Sequence, residues 1–118
     1  MSRELIVNAG LSFKKGHVKV SQSNIVIADV TGDDFVNDTQ VIGTNDELLS
    51  FPNEIEAGGY LLIRNLDPDC YVLLKIAEDY YFAKLLPNDI ALFRIVTKNI
   101  YAKAVGGTCR ISKILIEE

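Results

Sequence analysis

The sequence predicts an all-β fold, an antiparallel β-sandwich or jelly roll of about nine to eleven short strands. Three observations carry this. The 118 residues hold 10 Val, 13 Ile and 5 Thr against 13 Leu, 8 Ala and 1 Met. β-Branched side chains suit a pleated surface better than a helix. No window of about eleven residues or more shows a 3.6-residue apolar period. Short apolar or alternating runs recur instead, with turn residues about every 7 to 12 positions, and the connections are too short for parallel crossovers.

In chain order, the first run is 4–8, closed by Ala9-Gly10. Leu11-Ser12-Phe13 alternates into a tight turn at Lys14-Lys15-Gly16, and 17–21 alternates again with Val18 and Val20 on one face. The run 24–31 is apolar on both faces, the mark of a strand buried on two sides. After Thr31-Gly32-Asp33-Asp34 comes a longer, more polar strand at 35–42. The stretch 47–51 fits either a short strand or a helical turn, and 54–56 is a weak segment before the turn Ala57-Gly58-Gly59. The second half is denser, with strands at 60–65, 70–76, 80–85, 90–95, 100–104 and 109–116. Pro68 and Pro87 open turns by fixing φ, and Gly106-Gly107 supplies the last one.

Length and composition predict a single β-sandwich domain over 1–118, with 1–8 as a terminal arm or exchanged strand. A chain this size hides roughly two-thirds of the surface its unfolded form exposes. Hydrophobic content of 48% and charge of 24% are globular values. The net charge of −4 is opposite to the usual balance of a nucleic-acid binder, so no direct nucleic-acid contact is expected. No apolar run approaches the roughly 20 residues of a membrane span, and the first eight residues hold no signal-peptide core. Cytoplasmic synthesis and no membrane partner are expected. Cys70 and Cys109 have apolar or β-branched neighbours and read as reduced core thiols; a bridge requires their strands to be adjacent.

No constellation for chemistry emerges, and the chain is expected to be a non-enzyme without cofactor or metal. His17 is the only histidine and has no visible partner for a triad or a zinc site. Asp33, Asp34 and Asp38, and then Asp67 and Asp69, are acidic clusters, but their spacing is not that of an EF-hand and aspartate is favoured in turns. A glycosidase pair would want an aromatic cleft, and the chain has no Trp. Gly58-Gly59 and Gly106-Gly107 lack the Lys-Ser/Thr of a phosphate loop. The lysines are scattered, with no basic stripe interleaved by aromatics. The terminal strands, Leu5-Ile6-Val7 and 111–116, either pair within the domain or add to a neighbour's sheet.

Several stretches in order carry a resemblance: Leu11-Ser12-Phe13-Lys14-Lys15-Gly16, Val30-Thr31-Gly32-Asp33, Gln40-Val41-Ile42-Gly43-Thr44 with Glu47, the run 59–67, Leu85-Leu86-Pro87 with Ala91-Leu92-Phe93-Arg94, and Tyr101-Ala102-Lys103-Ala104. Together they resemble small β-rich virion structural proteins of tailed bacteriophages. The resemblance implies a non-enzymatic particle component. Its first form is a capsid decoration (cement) protein that binds the major capsid protein or other virion proteins, as a homo-oligomer, in a virion assembled in the host cytoplasm. A tail or head-fibre component is the near alternative, and a carbohydrate-binding β-sandwich the alternative from another class. Asp79-Tyr80-Tyr81-Phe82 is more aromatic than the resemblance leads one to expect. Tyr80, Tyr81 and Phe82, with Leu5, Ile6 and Val7, are the expected interface residues, since aromatics dominate interface hot spots.

Overall fold

The computed structural model describes residues 5–28, 35–51, 59–76 and 80–117. The predicted segments 54–56 and 77–79, and Asp33, Asp34 and Asp79, lie outside them. By contacts the chain divides into two compact units, 1–31 and 32–118.

The first unit is a hairpin of β1 (Leu5–Lys15) and β2 (Val18–Ala28), paired antiparallel along their whole length from Leu5↔Ala28 to Lys15↔Val18. Its two-residue connection is Gly16-His17, with Gly16 at φ 59° and His17 on the ordinary negative side. Glycine first and an L-residue second is the pattern of a type II′ turn, whose twist matches the strands it joins. The break expected at Ala9-Gly10 does not occur, because Gly10 sits opposite Ser23 within the ladder. A small residue that reads locally as a turn is held extended by its partner strand.

The second unit is a two-layer sandwich. It contains β3 (Phe35–Ile42), β4 (Glu47–Leu48), β5 (Gly59–Asn65), β6 (Tyr71–Lys75), β7 (Tyr81–Leu85), β8 (Ile90–Arg94), β9 (Tyr101–Val105) and β10 (Cys109–Glu117). One sheet runs β3-β10-β5-β8 and the other β4-β9-β6-β7, all pairs antiparallel. First and last strands are neighbours, and every link except the β6–β7 hairpin crosses between sheets. This is the order of an eight-stranded jelly roll. The ambiguous stretch 47–51 contributes only the short β4.

The period-2 pattern decides the core. On β10, Cys109, Ile111, Lys113 and Leu115 point inward. Leu61 and Ile63 of β5, Val72 and Leu74 of β6, and Ala102 and Ala104 of β9 meet them. Each buried Leu or Ile contributes about 1.5–3 kcal/mol relative to exposure. The alternation is hard to see in Tyr60-Leu61-Leu62-Ile63 because outward Leu62 is itself half-buried.

The cysteines differ from expectation: Cys70 and Cys109 form a disulfide, with Cα atoms 6.3 Å apart. They are not on adjacent strands. Cys70 precedes β6 in one sheet and Cys109 opens β10 in the other, so the bridge joins the two layers where their crossover connections converge. Beside it Gly106, at φ 96°, would bring a Cβ to 3.5 Å from the Cys70 Cβ.

Candidate interaction surface

The residues expected at an interface fall in four settings. Leu5, Ile6 and Val7 open β1, with Ile6 exposed and Leu5 and Val7 half-buried. They are the base of a longer apolar surface. Residues directly opposed in an antiparallel pair share a face. Leu5, Val7, Leu11 and Phe13 of β1 therefore line up with Val20 and Val26 of β2. Leu11, Phe13, Val20 and Val26 are exposed. The other face has Ile6, Ile25 and Ile27 near the base, then Gly10, Ser12, Ser21 and Ser23, and Lys14 and Lys19 at the tip. The hairpin is amphipathic along most of its length.

The aromatic trio goes three ways. Tyr80 is 85% exposed. Tyr81 is half-buried and donates its hydroxyl proton to Asp46 Oδ1 at 2.6 Å. Phe82 meets Phe93 edge to face at 5.9 Å between centroids. Phe93 pairs with inward Leu61, so Phe82 covers the side of the sandwich between edge strands β7 and β8. The register shift beside Lys75 sets this up: Leu74 pairs Ala83 and Lys75 pairs Tyr81, leaving Phe82 as the extra, bulged residue.

Asp46 is the centre of a small polar network. Lys75 Nζ lies 2.7 Å from its Oδ2. The hydrogen bonds from Lys75 and Tyr81 hold the Asp46 carboxyl below the usual carboxylate value. Donating to that carboxylate pushes the Tyr81 phenol above its ordinary value. Ammonium groups stand over two rings of this sheet, Lys84 at 4.5 Å from the Tyr71 centroid and Lys75 at 5.2 Å from that of Tyr81.

The acidic loops have structural roles among the described residues. Asp67 Oδ2 accepts the backbone N–H groups of Asp69 at 2.9 Å and Cys70 at 2.8 Å, an Asx-type turn. The same oxygen lies 2.9 Å from Cys70 Sγ. With both sulfurs bonded to each other, this Asp67–Cys70–Cys109 group offers a cation one carboxylate and no thiolate. Asp38 pairs with Lys113.

Among the described residues, two buried polar side chains escaped the sequence reading. Lys113 is fully buried, with Nζ 2.5 Å from Asp38 Oδ1 and 5.7 Å from the Phe51 ring centroid. Asn65, also fully buried, donates to the carbonyls of Cys70 (2.8 Å) and Leu85 (3.1 Å) and accepts from the Asp67 N–H (2.9 Å). Comparison with family models, curated proteins and solved structures finds no match for this chain.

Proposed function

We propose that this chain is a non-enzymatic structural subunit that works by adhering to other polypeptides, in the manner of a decoration protein on a phage capsid. The observation that carries the proposal is the β1–β2 hairpin, whose exposed Leu11, Phe13, Val20 and Val26 share one face. Exposed apolar surface of this extent marks a contact site, and a two-stranded hairpin alone is marginal in water. The sandwich supports the same reading. Its interior is filled by apolar side chains, with Asn65 and Lys113 the buried polar residues among those described, so its material goes into a rigid body. Of the rings a sugar-binding platform would use, Tyr71 and Tyr81 each carry an ammonium group over one face, and Tyr80 is open. The virion setting comes from the resemblance of the sequence runs, since a jelly roll serves many functions.

The test is the fate of the chain in the cells that make it. Particles purified from them are expected to carry it at fixed stoichiometry, with density at shell lattice positions and a lower shell-opening temperature when it is omitted. Density at the tail would move the assignment to a tail component. A chain recovered only as free protein would end the proposal.

A further inference from the structure

We infer that opening the Cys70–Cys109 bridge turns the Asp67–Cys70–Cys109 group into a zinc site, so that the chain holds a disulfide when oxidised and a metal ion when reduced. The ligand atoms are already assembled: the two sulfurs and an Asp67 carboxylate oxygen all lie within 4.8 Å of one another. Nothing in the spacing of two cysteines 39 positions apart marks such a site; the crossovers that converge there build it.

The carboxylate is the observation that points to a ligand. Asp67 Oδ2 lies 2.9 Å from Cys70 Sγ. A bridged sulfur has no proton to donate, so in the oxidised chain this contact sets an anionic oxygen against a sulfur lone pair. It becomes favourable once the bridge opens, when a thiol proton or a cation can sit between the two atoms. The loop holds the carboxylate there independently of the sulfur. The N–H groups of Asp69 and Cys70 donate to Oδ2, and the Asp67 N–H donates to Asn65 Oδ1.

The opening step balances with a dithiol reductant. The dithiol passes two electrons and two protons to the bridge, the S–S bond breaks to two thiols, and the reductant closes its own disulfide. A zinc ion then displaces the two thiol protons and binds both thiolates and the carboxylate. Zinc–sulfur bonds of about 2.3 Å at a tetrahedral angle place the sulfurs about 3.8 Å apart. The Cα atoms stand 6.3 Å apart, toward the wide end for bridged cysteines, so side-chain rotation can part the sulfurs that far. A cavity of about 460 Å³, lined in part by Asp67, Thr108, Cys109 and Arg110, lies against the group. It gives a reductant an approach to Cys109 and supplies water for the fourth coordination position. Three protein ligands with an open position for water is a zinc arrangement, and thiolates select zinc over magnesium or calcium.

The test is titration of the full chain with zinc or cobalt(II), after reduction by a dithiol and removal of the dithiol under nitrogen. The expected result is one zinc per reduced chain by native mass and, with cobalt, the sulfur-to-metal charge-transfer absorption of a thiolate complex. Zinc should also restore the denaturation midpoint that reduction lowers, whereas the oxidised chain should bind neither ion. Asp67→Asn keeps an oxygen for the two loop N–H groups, so the fold is expected to stand. Its zinc affinity should fall at least about tenfold, the smaller loss for removing even a group that only supports a ligand. Cys70→Ser with Cys109→Ser should abolish binding. A reduced chain that takes up no zinc, uptake that leaves the midpoint low, equal binding by the oxidised chain or the double serine variant, or unchanged affinity in Asp67→Asn would each overturn the inference.

Discussion

Lys113 and Asp38 face each other across the last and first strands of the sandwich, directly opposed in register, and form an ion pair inside an otherwise apolar row. Lys113 stands between Ile111 and Leu115, where every other inward residue of β10 is apolar or cysteine. Its ammonium escapes the cost of unpaired burial because Asp38, on an edge strand, keeps its carboxylate half in water. Breaking such a pair from one side differs from removing it whole. Asp38→Ala leaves a buried charge and is expected to destabilise by about 3 kcal/mol, the low end for buried pairs because the carboxylate is half exposed. Lys113→Met removes the charge and keeps the volume, and is expected to be neutral or stabilising by about 1 kcal/mol or more. Chemical denaturation of both variants checks this; equal losses would show that the pair acts by packing alone.

The Asp46 network gives stability a pH dependence at both ends of the scale. The folded Asp46 pKa lies below its ordinary 3.8, so its contribution is complete above that value and disappears as pH falls through the folded pKa. The folded Tyr81 pKa lies above its ordinary 10.0, so its contribution is complete below 10.0 and disappears as pH rises through the folded pKa. Asp46→Asn is expected to remove the acid-side loss and to return the Tyr81 titration, read by phenolate absorbance, toward 10.0. An unchanged Tyr81 midpoint in that variant would mean another group holds its proton.

Much of the sandwich was legible because punctuation there is local. The strands expected at 60–65, 80–85 and 90–95 appear as Gly59–Asn65, Tyr81–Leu85 and Ile90–Arg94. Pro87-Asn88 shows why. Asn88 takes φ 67° at the third position of a turn closed by Asp89 N–H to Leu86 C=O at 2.9 Å, a type II arrangement readable from residue types. The features that were missed depend on distant partners. Nothing near Lys113 in the sequence marks it as a buried cation; its partner Asp38 lies 75 positions earlier. Gly10 reads as a break until Ser23 faces it. The cysteines read as unpaired because strand adjacency was the wrong criterion; facing crossovers between two sheets bring them together.

The disulfide makes a direct prediction about reduction. It closes a loop with a sequence separation of 39 and ties the two layers at one end. Loop-closure entropy for that length corresponds to about 4 kcal/mol, an upper figure that native strain would reduce. Reduction, or Cys70→Ser with Cys109→Ser, is expected to lower the denaturation midpoint without changing the fold of the hairpin unit. Intact mass with and without alkylation reports whether the bridge is present in the purified protein. Two alkylated cysteines in untreated, folded protein would refute the cross-link.

Asn65 makes the sharpest demand on side-chain chemistry. It is the last residue of β5, and its amide holds the connections on either side of the β6–β7 hairpin. Its backbone extends the hub, with the N–H donating to Asp89 C=O at 3.0 Å and the C=O accepting from Asn88 N–H at 3.1 Å. Replacing the side chain strands buried partners, each costing about 1–3 kcal/mol if left unsatisfied. Asn65→Ala is therefore expected to destabilise by about 3 kcal/mol, with water able to enter the space and recover part of the loss. Asn65→Asp is nearly the same size but aims a carboxylate at the carbonyl oxygens of Cys70 and Leu85. It can still accept from the Asp67 N–H, yet it is expected to be the more damaging substitution at neutral pH and to recover as the pH falls. Amide exchange at Asp67 and thermal denaturation of both variants distinguish donor loss from cavity formation. If the Asp variant proved the milder one at neutral pH, the two carbonyls would not depend on the Asn65 amide.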